Sequence, residues 1–511
     1  MKRKRSIIFS ACLFCSVISL FAQDVPNAVK FLPSPPQQGA SVQYVNDFLQ
    51  YAWGKDQRTT SRGYQAIDDL PLTATTYASA FSSIIGLEIT EKSTPKLYTL
   101  FDYALRMSEM AAETPQNYYN TERPYVSFSE HTLLPTYENT YRNVGSFPCV
   151  QATVGWLSGL IMAEVVPAVQ NEALARGYAF GVSAIISGYN WYTDVTAGRH
   201  MGSALLAYFH SQDSFTAMIT EARNEYKSKG GAYARQTRAE EDEEEEEEEE
   251  PSGPSVVTYI QLEELPDGLL YLTGPPTHSS SIFGYDFSQH MEGKALRPYS
   301  DGKQAVEDVT YSVDNWCSIY SPLFGVTISE SATPQLYELL TRVHPSANAA
   351  TQSAKAGYMR LRPYVFLNET TAYPADEDEL RETGSYPSGH ASGSWLIAMI
   401  LAEINPSSLD ALFARAYQFG QGRVITGYHW QSDVDDGRLV ASAVFARLHA
   451  DEGFMAQLTR AKAEFNGSTR ISTPEATSQS EAPVYNLQGI RVEGAPIHHG
   501  IYIQGNQKVA R

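Results

Sequence analysis

The chain has 511 residues, 43% hydrophobic and 19% charged, enough for two or three domains with separate cores and ordinary for a water-soluble protein. Its formal net charge is −20, and more than half of that sits in one unbroken run of eleven acidic residues, Glu240 to Glu250. That balance excludes non-specific nucleic-acid binding, which needs a basic footprint, and obliges an anionic substrate to find a locally positive pocket.

Lys2-Arg3-Lys4-Arg5, an apolar stretch from Ile7 to Phe21 and the small Ala22 predict a secretory leader over 1–22, cut before Gln23. The alternative is an N-terminal anchor, although the run is short of a full span, and the mature chain offers no other spanning segment. Cys12 and Cys15 leave with the leader. Cys149 and Cys317 remain, too few for a disulfide framework, with a single bridge between them left open.

Gly86-Leu-Glu-Ile-Thr-Glu-Lys-Ser-Thr-Pro-Lys-Leu-Tyr98 recurs 239 residues later as Gly325-Val-Thr-Ile-Ser-Glu-Ser-Ala-Thr-Pro-Gln-Leu-Tyr337. The same offset carries Arg123-Pro124 onto Arg362-Pro363, Gly145-Ser146-Phe147-Pro148 onto Gly384-Ser385-Tyr386-Pro387, and Asp194 onto Asp433. A tandem duplication is the economical reading. It predicts one domain over 23–235, an acidic linker over 236–255, a second domain over 256–467, and a Ser/Thr-rich linker and tail over 468–511. The linker reads as a solvated spacer; a binding role for calcium or a basic partner is the alternative. Within each copy the patterning is helical: Ala391 to Ile404, Asp410 to Phe419 and Val434 to Arg447 read as helices. The fold expected is therefore all-α, two tandem helical bundles. Val484 to Val492 and Gly500 to Ile503 alternate like a small β-hairpin.

The chemistry-bearing residues cluster in the second copy. Lys355 and Arg362 are seven apart, about two helical turns, and would present two cations to one side, or be plain surface charges. Ser388 and Gly389 precede a helix, so free backbone N–H groups and a hydroxyl are available to a phosphate; an ordinary N-cap with a packed His390 is the alternative. His429 and Asp433 are four apart, which on a helix would let the carboxylate take Nδ1–H and leave Nε2 free to attack. Arg423 is six residues before His429, so a break near Gly427 is expected to bring the two together.

These motifs resemble the class A bacterial non-specific acid phosphatases, of the superfamily that includes type-2 phosphatidic acid phosphatases and vanadium haloperoxidases. The resemblance covers nearly the whole second copy, from Leu272-Thr-Gly-Pro-Pro276 through Asp286 and Arg297 to the helix after Asp433. It implies His429 as nucleophile forming a phosphohistidine, Asp433 orienting it, and His390 as general acid. Lys355, Arg362, Ser388, Gly389 and Arg423 would hold the phosphoryl oxygens. No metal and no cofactor are implied, and small phosphate monoesters are the expected substrates, with a bell-shaped pH profile favouring acid. Gly422 departs from the Ser the family usually has before that Arg. A vanadium haloperoxidase and a lipid or lipid A-type phosphatase are the enzyme alternatives; only 23 residues separate Pro363 from Pro387, little room for a haloperoxidase's insertions. An inert exported binding module is the non-enzymatic one.

The first copy departs further: Gln116 stands for Lys355, Cys149-Val150-Gln151 for Ser388-Gly389-His390, Ala184 for Arg423 and Asn190 for His429. It is expected to be inactive and to pack on the active copy as an intrachain pseudo-dimer, with a thiol activity at Cys149 as a remote alternative. The tail resembles the C-terminal ends of exported Bacteroidetes proteins, some of them sorting signals, so the periplasm, or the outer membrane and cell surface, is the expected location.

Overall fold

The helical period that dominates the sequence is realised throughout the computed structural model. It describes residues 25–39, 41–233, 257–280 and 282–472, and beyond them only the backbone of four short strands. The leader, the acidic linker and the Ser/Thr-rich stretch after residue 472 lie outside the described residues. Eight helices carry the argument. Pro95–Tyr119 (α1), Val150–Val165 (α2), Gln170–Ser187 (α3) and Tyr192–His210 (α4) belong to the first half. Pro334–Ala349 (α5), Gly389–Ile404 (α6), Leu409–Thr426 (α7) and Gln431–Leu448 (α8) belong to the second.

α2 and α6 are apolar on every side, a pattern that demands enclosure all round. All of α2 but Val150, and all of α6 but His390, is buried. Each is covered by the two helices that follow it, and then by a helix of the other half: α4 lies on α6, and α8 on α2. Trp156 of α2 donates its indole N–H to Ser442 of α8 at 3.1 Å. His200 of α4 sits 5.6 Å from the Trp395 ring of α6 and bonds the Asp435 carbonyl at 3.1 Å. The halves expected as separate domains therefore share one core. The chain instead divides into the compact units Met1–Lys462 and Ala463–Arg511, because neither central helix can be enclosed by its own half alone.

The same hydrogen bonds recur 239 residues apart. Arg58 Nε donates to the Ile186 carbonyl at 3.0 Å and Arg297 Nε to that of Ile425 at 2.8 Å. Tyr125 donates to the Glu138 carbonyl and Tyr364 to that of Glu377. α3 and α7 both end on a left-handed glycine, Gly188 (φ 87°) and Gly427 (φ 93°), a conformation other residues adopt only with strain.

One difference matters for the site. α1 runs unbroken for 25 residues, whereas its counterpart stops at Ala349 and a new helix, Gln352–Tyr358, begins. The Thr351 hydroxyl donates to the Asn348 carbonyl at 2.7 Å, the kind of local bond that competes with a continuing helix.

In the second unit, strands Val484–Tyr485 (β1), Arg491–Val492 (β2), Ile501–Gln504 (β3) and Gln507–Ala510 (β4) pair antiparallel in the order β2-β1-β3-β4. Cys149 and Cys317 are both free, so they form no bridge. Among the described residues no helix is long and apolar enough to cross a membrane.

Candidate active site

The turn that starts α6 is held from both sides. The Ser388 hydroxyl accepts from the Ala391 N–H at 3.3 Å, and the Ser388 N–H donates to the Asp433 carbonyl at 2.8 Å. Ser388 is thus the fully buried N-cap, and it is not among the residues lining the cavity beside it. The hydroxyl secures the helix as an acceptor, which leaves its own O–H as a donor. Gly389 and His390 follow as the first helical residues, whose N–H groups have no acceptor within the helix. A Cβ at 389 would lie 2.3 Å from Asn348 Oδ1, so a larger residue there would displace that side chain from the cavity wall.

α7 delivers Arg423, and Gly427 then reverses the chain so that Tyr428 and His429 bond back to the Arg423 carbonyl at 3.1 and 3.2 Å. This is the expected break. His429, however, precedes α8, whose N-cap is Trp430. Asp433 reaches it not across a helical face but as the third residue of the helix, where its carboxylate accepts from Trp430 N–H at 2.8 Å and from His429 Nδ1 at 3.4 Å. That leaves the His429 Nε2 lone pair turned to the cations, where it accepts from Arg362 Nη1 at 3.3 Å.

Lys355 and Arg362 are likewise not on one helix. Lys355 belongs to Gln352–Tyr358, Met359 turns the chain in the left-handed region (φ 41°), and Arg362 is the extended N-cap of Pro363–Phe366. They still converge. Lys355, Arg362, Gly389, His390, Arg423 and His429 line one cavity of about 260 Å³, joined by Tyr311, Asn348, Gln352, Leu380 and Thr383. Lys355 Nζ donates to the Pro387 carbonyl at 2.5 Å. Arg362 is spent partly on carbonyls, those of Leu380 at 3.0 Å and Tyr428 at 3.2 Å. Arg423 is only 1% exposed, yet its Nε and Nη1 have no protein acceptor.

Three cations packed this closely, largely out of water, oppose further protonation. Burial, then Arg362, Lys355 and Arg423, hold the His429 imidazole well below its usual value. Burial and Arg423 do the same to His390, whose Nε2 bonds the Val309 carbonyl at 3.0 Å, leaving Nδ1 for the cavity. Burial and Arg362 bring Lys355 down to about 7 and Arg423 to about 10.

Sequence reading missed what stands behind Asp433. Arg360, also buried, donates to Asp433 Oδ1 at 2.5 Å and to Asp286 Oδ2 at 2.6 Å, and Asp286 in turn accepts from the N–H and hydroxyl of Ser432. The signal was present as a third cation between Lys355 and Arg362, but its partner Asp286 lies 74 residues upstream.

In the first half, the corresponding residues Gln116, Arg123, Val150, Gln151 and Asn190 also line a cavity. Cys149 is outside it, fully buried, and burial pushes its thiol to about 12, which leaves no thiolate for chemistry.

Residues 342–452 match the PAP2 superfamily. The chain is 40% identical to the non-specific acid phosphatase of Providencia stuartii over 221 residues, 42% of this chain and 89% of that protein. It is 40% identical to the Salmonella typhi non-specific acid phosphatase over 214 residues, 42% and 86% of the two chains, and 30% identical to the acid phosphatase of Zymomonas mobilis over 210 residues, 41% and 80%.

Proposed function

Because this chain belongs to the PAP2 superfamily, alongside its non-specific acid phosphatases, we propose that its second half hydrolyses phosphate monoesters through a phosphohistidine. The observation that carries the reading is Arg423. Leaving a buried donor unsatisfied costs about 1–3 kcal/mol, and here two sit on one guanidinium beside Lys355, Arg362 and a neutral imidazole. Phosphoryl oxygens offset that cost, and the same cations stabilise the charge spread over them in the transition state.

In the first step His429 Nε2 attacks phosphorus, the P–N bond forms and the ester P–O bond breaks, and His390 Nδ1–H gives its proton to the departing alkoxide. In the second, His390 takes a proton from water, which attacks phosphorus and breaks the P–N bond. Asp433 keeps the Nδ1–H tautomer throughout. The dianionic ester itself raises both imidazoles by cancelling cavity charge, which supplies His390 with its proton when substrate is bound. The cations do the electrostatic work, so the mechanism takes no metal or other cofactor.

The cavity also accounts for an acid preference. His429 stays a free base well below 6.5, whereas Lys355 begins to lose its charge near 7. The working range therefore lies on the acid side of neutrality. The leader and the tail direct the enzyme out of the cytoplasm, to the periplasm or cell surface. The first half is a degenerate, inactive copy that supplies the enclosing surface a second subunit otherwise would.

The test is hydrolysis of p-nitrophenyl phosphate by the full chain. His429→Ala is expected to lower turnover by roughly a thousandfold or more, and acid-quenched wild type to carry label from ³²P ester on histidine. Undiminished turnover in His429→Ala overturns the mechanism. Vanadate, which the same cations would hold, is expected to inhibit.

A further inference from the structure

The first half holds a cavity larger than the catalytic one. It is lined by the residues that correspond to the catalytic ones, and measures about 520 Å³ against about 260 Å³, within the range of small-molecule sites. Decay of an unused site would be expected to fill or collapse it. Instead its floor is rebuilt with satisfied groups. Asn190 Nδ2 donates to the Ser146 carbonyl at 2.8 Å and to Asp194 Oδ2 at 3.3 Å, and its Oδ1 accepts from Arg123 Nη1 at 3.5 Å. Both polar ends of His429 are thus imitated without a nucleophile.

The cavity carries fewer cations than its counterpart. Arg123 is the one retained cation, and its nitrogens are committed to the carbonyls of Tyr141, Val144, Tyr189 and Gly145 at 3.0 to 3.1 Å. Gln116 and Gln151 each give one amide N–H to a backbone carbonyl, that of Pro148 at 3.2 Å and of Asp69 at 2.7 Å, so what they bring to the cavity is uncharged. Glu109 and Glu113 stand one turn apart at the mouth, exposed, and neither has an ion-pair partner among the described residues. Between floor and mouth the wall is apolar and aromatic, including Leu72, Met110 and the rings of Tyr137 and Tyr141.

Arg123 lies over one face of Tyr141, 5.2 Å from the ring centre, so the carboxylates at 109 and 113, the Tyr137 ring and the apolar wall are what would hold an ammonium group on an apolar body. We propose that this cavity binds an organic cation, an amine or quaternary ammonium compound of about benzyl size or larger, and does not bind phosphate. The proposal stands whether or not the second half hydrolyses esters.

It is tested by calorimetric titration of the full-length protein, its catalytic cavity first filled with inorganic phosphate, with benzyltrimethylammonium and, separately, with benzoate as an anion of similar size. One equivalent of the ammonium is expected to bind, with benzoate silent. Glu109→Gln/Glu113→Gln, two exposed changes outside the catalytic cavity, should weaken the ammonium about tenfold and leave phosphate-ester turnover unchanged. His429→Ala should leave ammonium binding unchanged. Benzoate binding as tightly as the ammonium, no saturable binding up to roughly 10 mM, affinity indifferent to the double change, or loss of binding in His429→Ala would each overturn it.

Discussion

Arg360 holds the aspartate that holds the proposed nucleophile, and it is not among the residues lining the cavity. It is a positioning residue: it fixes Asp433 Oδ1, so that Oδ2 is left for His429 and the Trp430 N–H. Arg360→Ala would strand two buried carboxylates and is expected to cost about 3–5 kcal/mol. Arg360→Lys keeps a charge but not the fork, so it is the better probe of function. It is expected to lower kcat roughly 10–100-fold with KM little changed, a split that a merely structural loss would not produce. Steady-state kinetics beside a melting curve decides it. Lys355 carries a different prediction. With its ammonium brought to about 7, it is expected to set the alkaline limb of kcat/KM in the free enzyme. As pH rises through that value a phosphate-binding charge is lost, so activity falls. Lys355→Arg, whose guanidinium does not titrate there, should move that limb up by more than one pH unit and leave the acid limb in place. A pH–rate profile of the two proteins checks it.

Between these residues and the fold stand turns whose shape only glycine permits. A Cβ on Gly384 would lie 2.3 Å from the Lys355 carbonyl oxygen, and one on Gly145 would lie 2.4 Å from that of Gln116. Backbone cannot yield as a flexible side chain does, so Gly384→Ala and Gly145→Ala should each destabilise by about 1–3 kcal/mol. Only Gly384→Ala should also raise KM for the ester, because only there does the displaced turn carry a phosphate-binding lysine. Equal effects of both on kinetics would contradict the assignment. The same turns show where sequence reading succeeds and where it fails. The burial of Ala391 to Ile404, the helix start after Ser388 and the reversal at Gly427 are local, written in apolar runs, caps and a glycine, and they were legible. Helical spacing misled for Lys355–Arg362 and His429–Asp433, since Met359 and Trp430 interrupt both intervals. The residues converge nonetheless, because the motif records proximity in the cavity and not the path of the backbone. At Ser388 both sequence alternatives are compatible, because the hydroxyl that caps the helix by accepting from the Ala391 N–H still has a hydrogen to donate. Arg360–Asp286 is an ion pair across 74 residues, and a single sequence carries no mark of it.

At the seam between the halves, residues 239 apart meet one another. Glu164 bonds His210 at 2.9 Å and is approached by Arg223; Glu403 bonds His449 at 2.8 Å and Lys462 at 2.8 Å. The two imidazoles lie 3.8 Å apart, ring centre to ring centre, fully enclosed. His210, His449 and Glu403 place potential ligand atoms within 4.8 Å of one another, but each carboxylate already has a cation and a histidine. The cluster therefore reads as an internal ion network joining equivalent surfaces, as in a two-fold dimer. Desolvation works against charge on both rings and wins at His210, which is lowered; at His449 the Glu403 charge and hydrogen bond win, and it is raised above 6.5. Desolvation would also raise Glu403, yet His449 and Lys462 pull it down to about 2. A raised His449 contributes stability that is present below 6.5 and lost as pH climbs through its folded value. A depressed Glu403 contributes stability present above 4.5 and lost as pH falls toward 2. The two overlap between 4.5 and 6.5, the acid range in which the catalytic cavity is expected to work. Glu403→Gln, which leaves His449 and Lys462 without their anion, should destabilise by about 3–5 kcal/mol there. The deficit against wild type should narrow as pH rises above the His449 value, where only Lys462 still misses its partner. Urea unfolding at three pH values reads this out, and a deficit that stays flat or widens above neutrality would mean that the seam is not held by a shared proton.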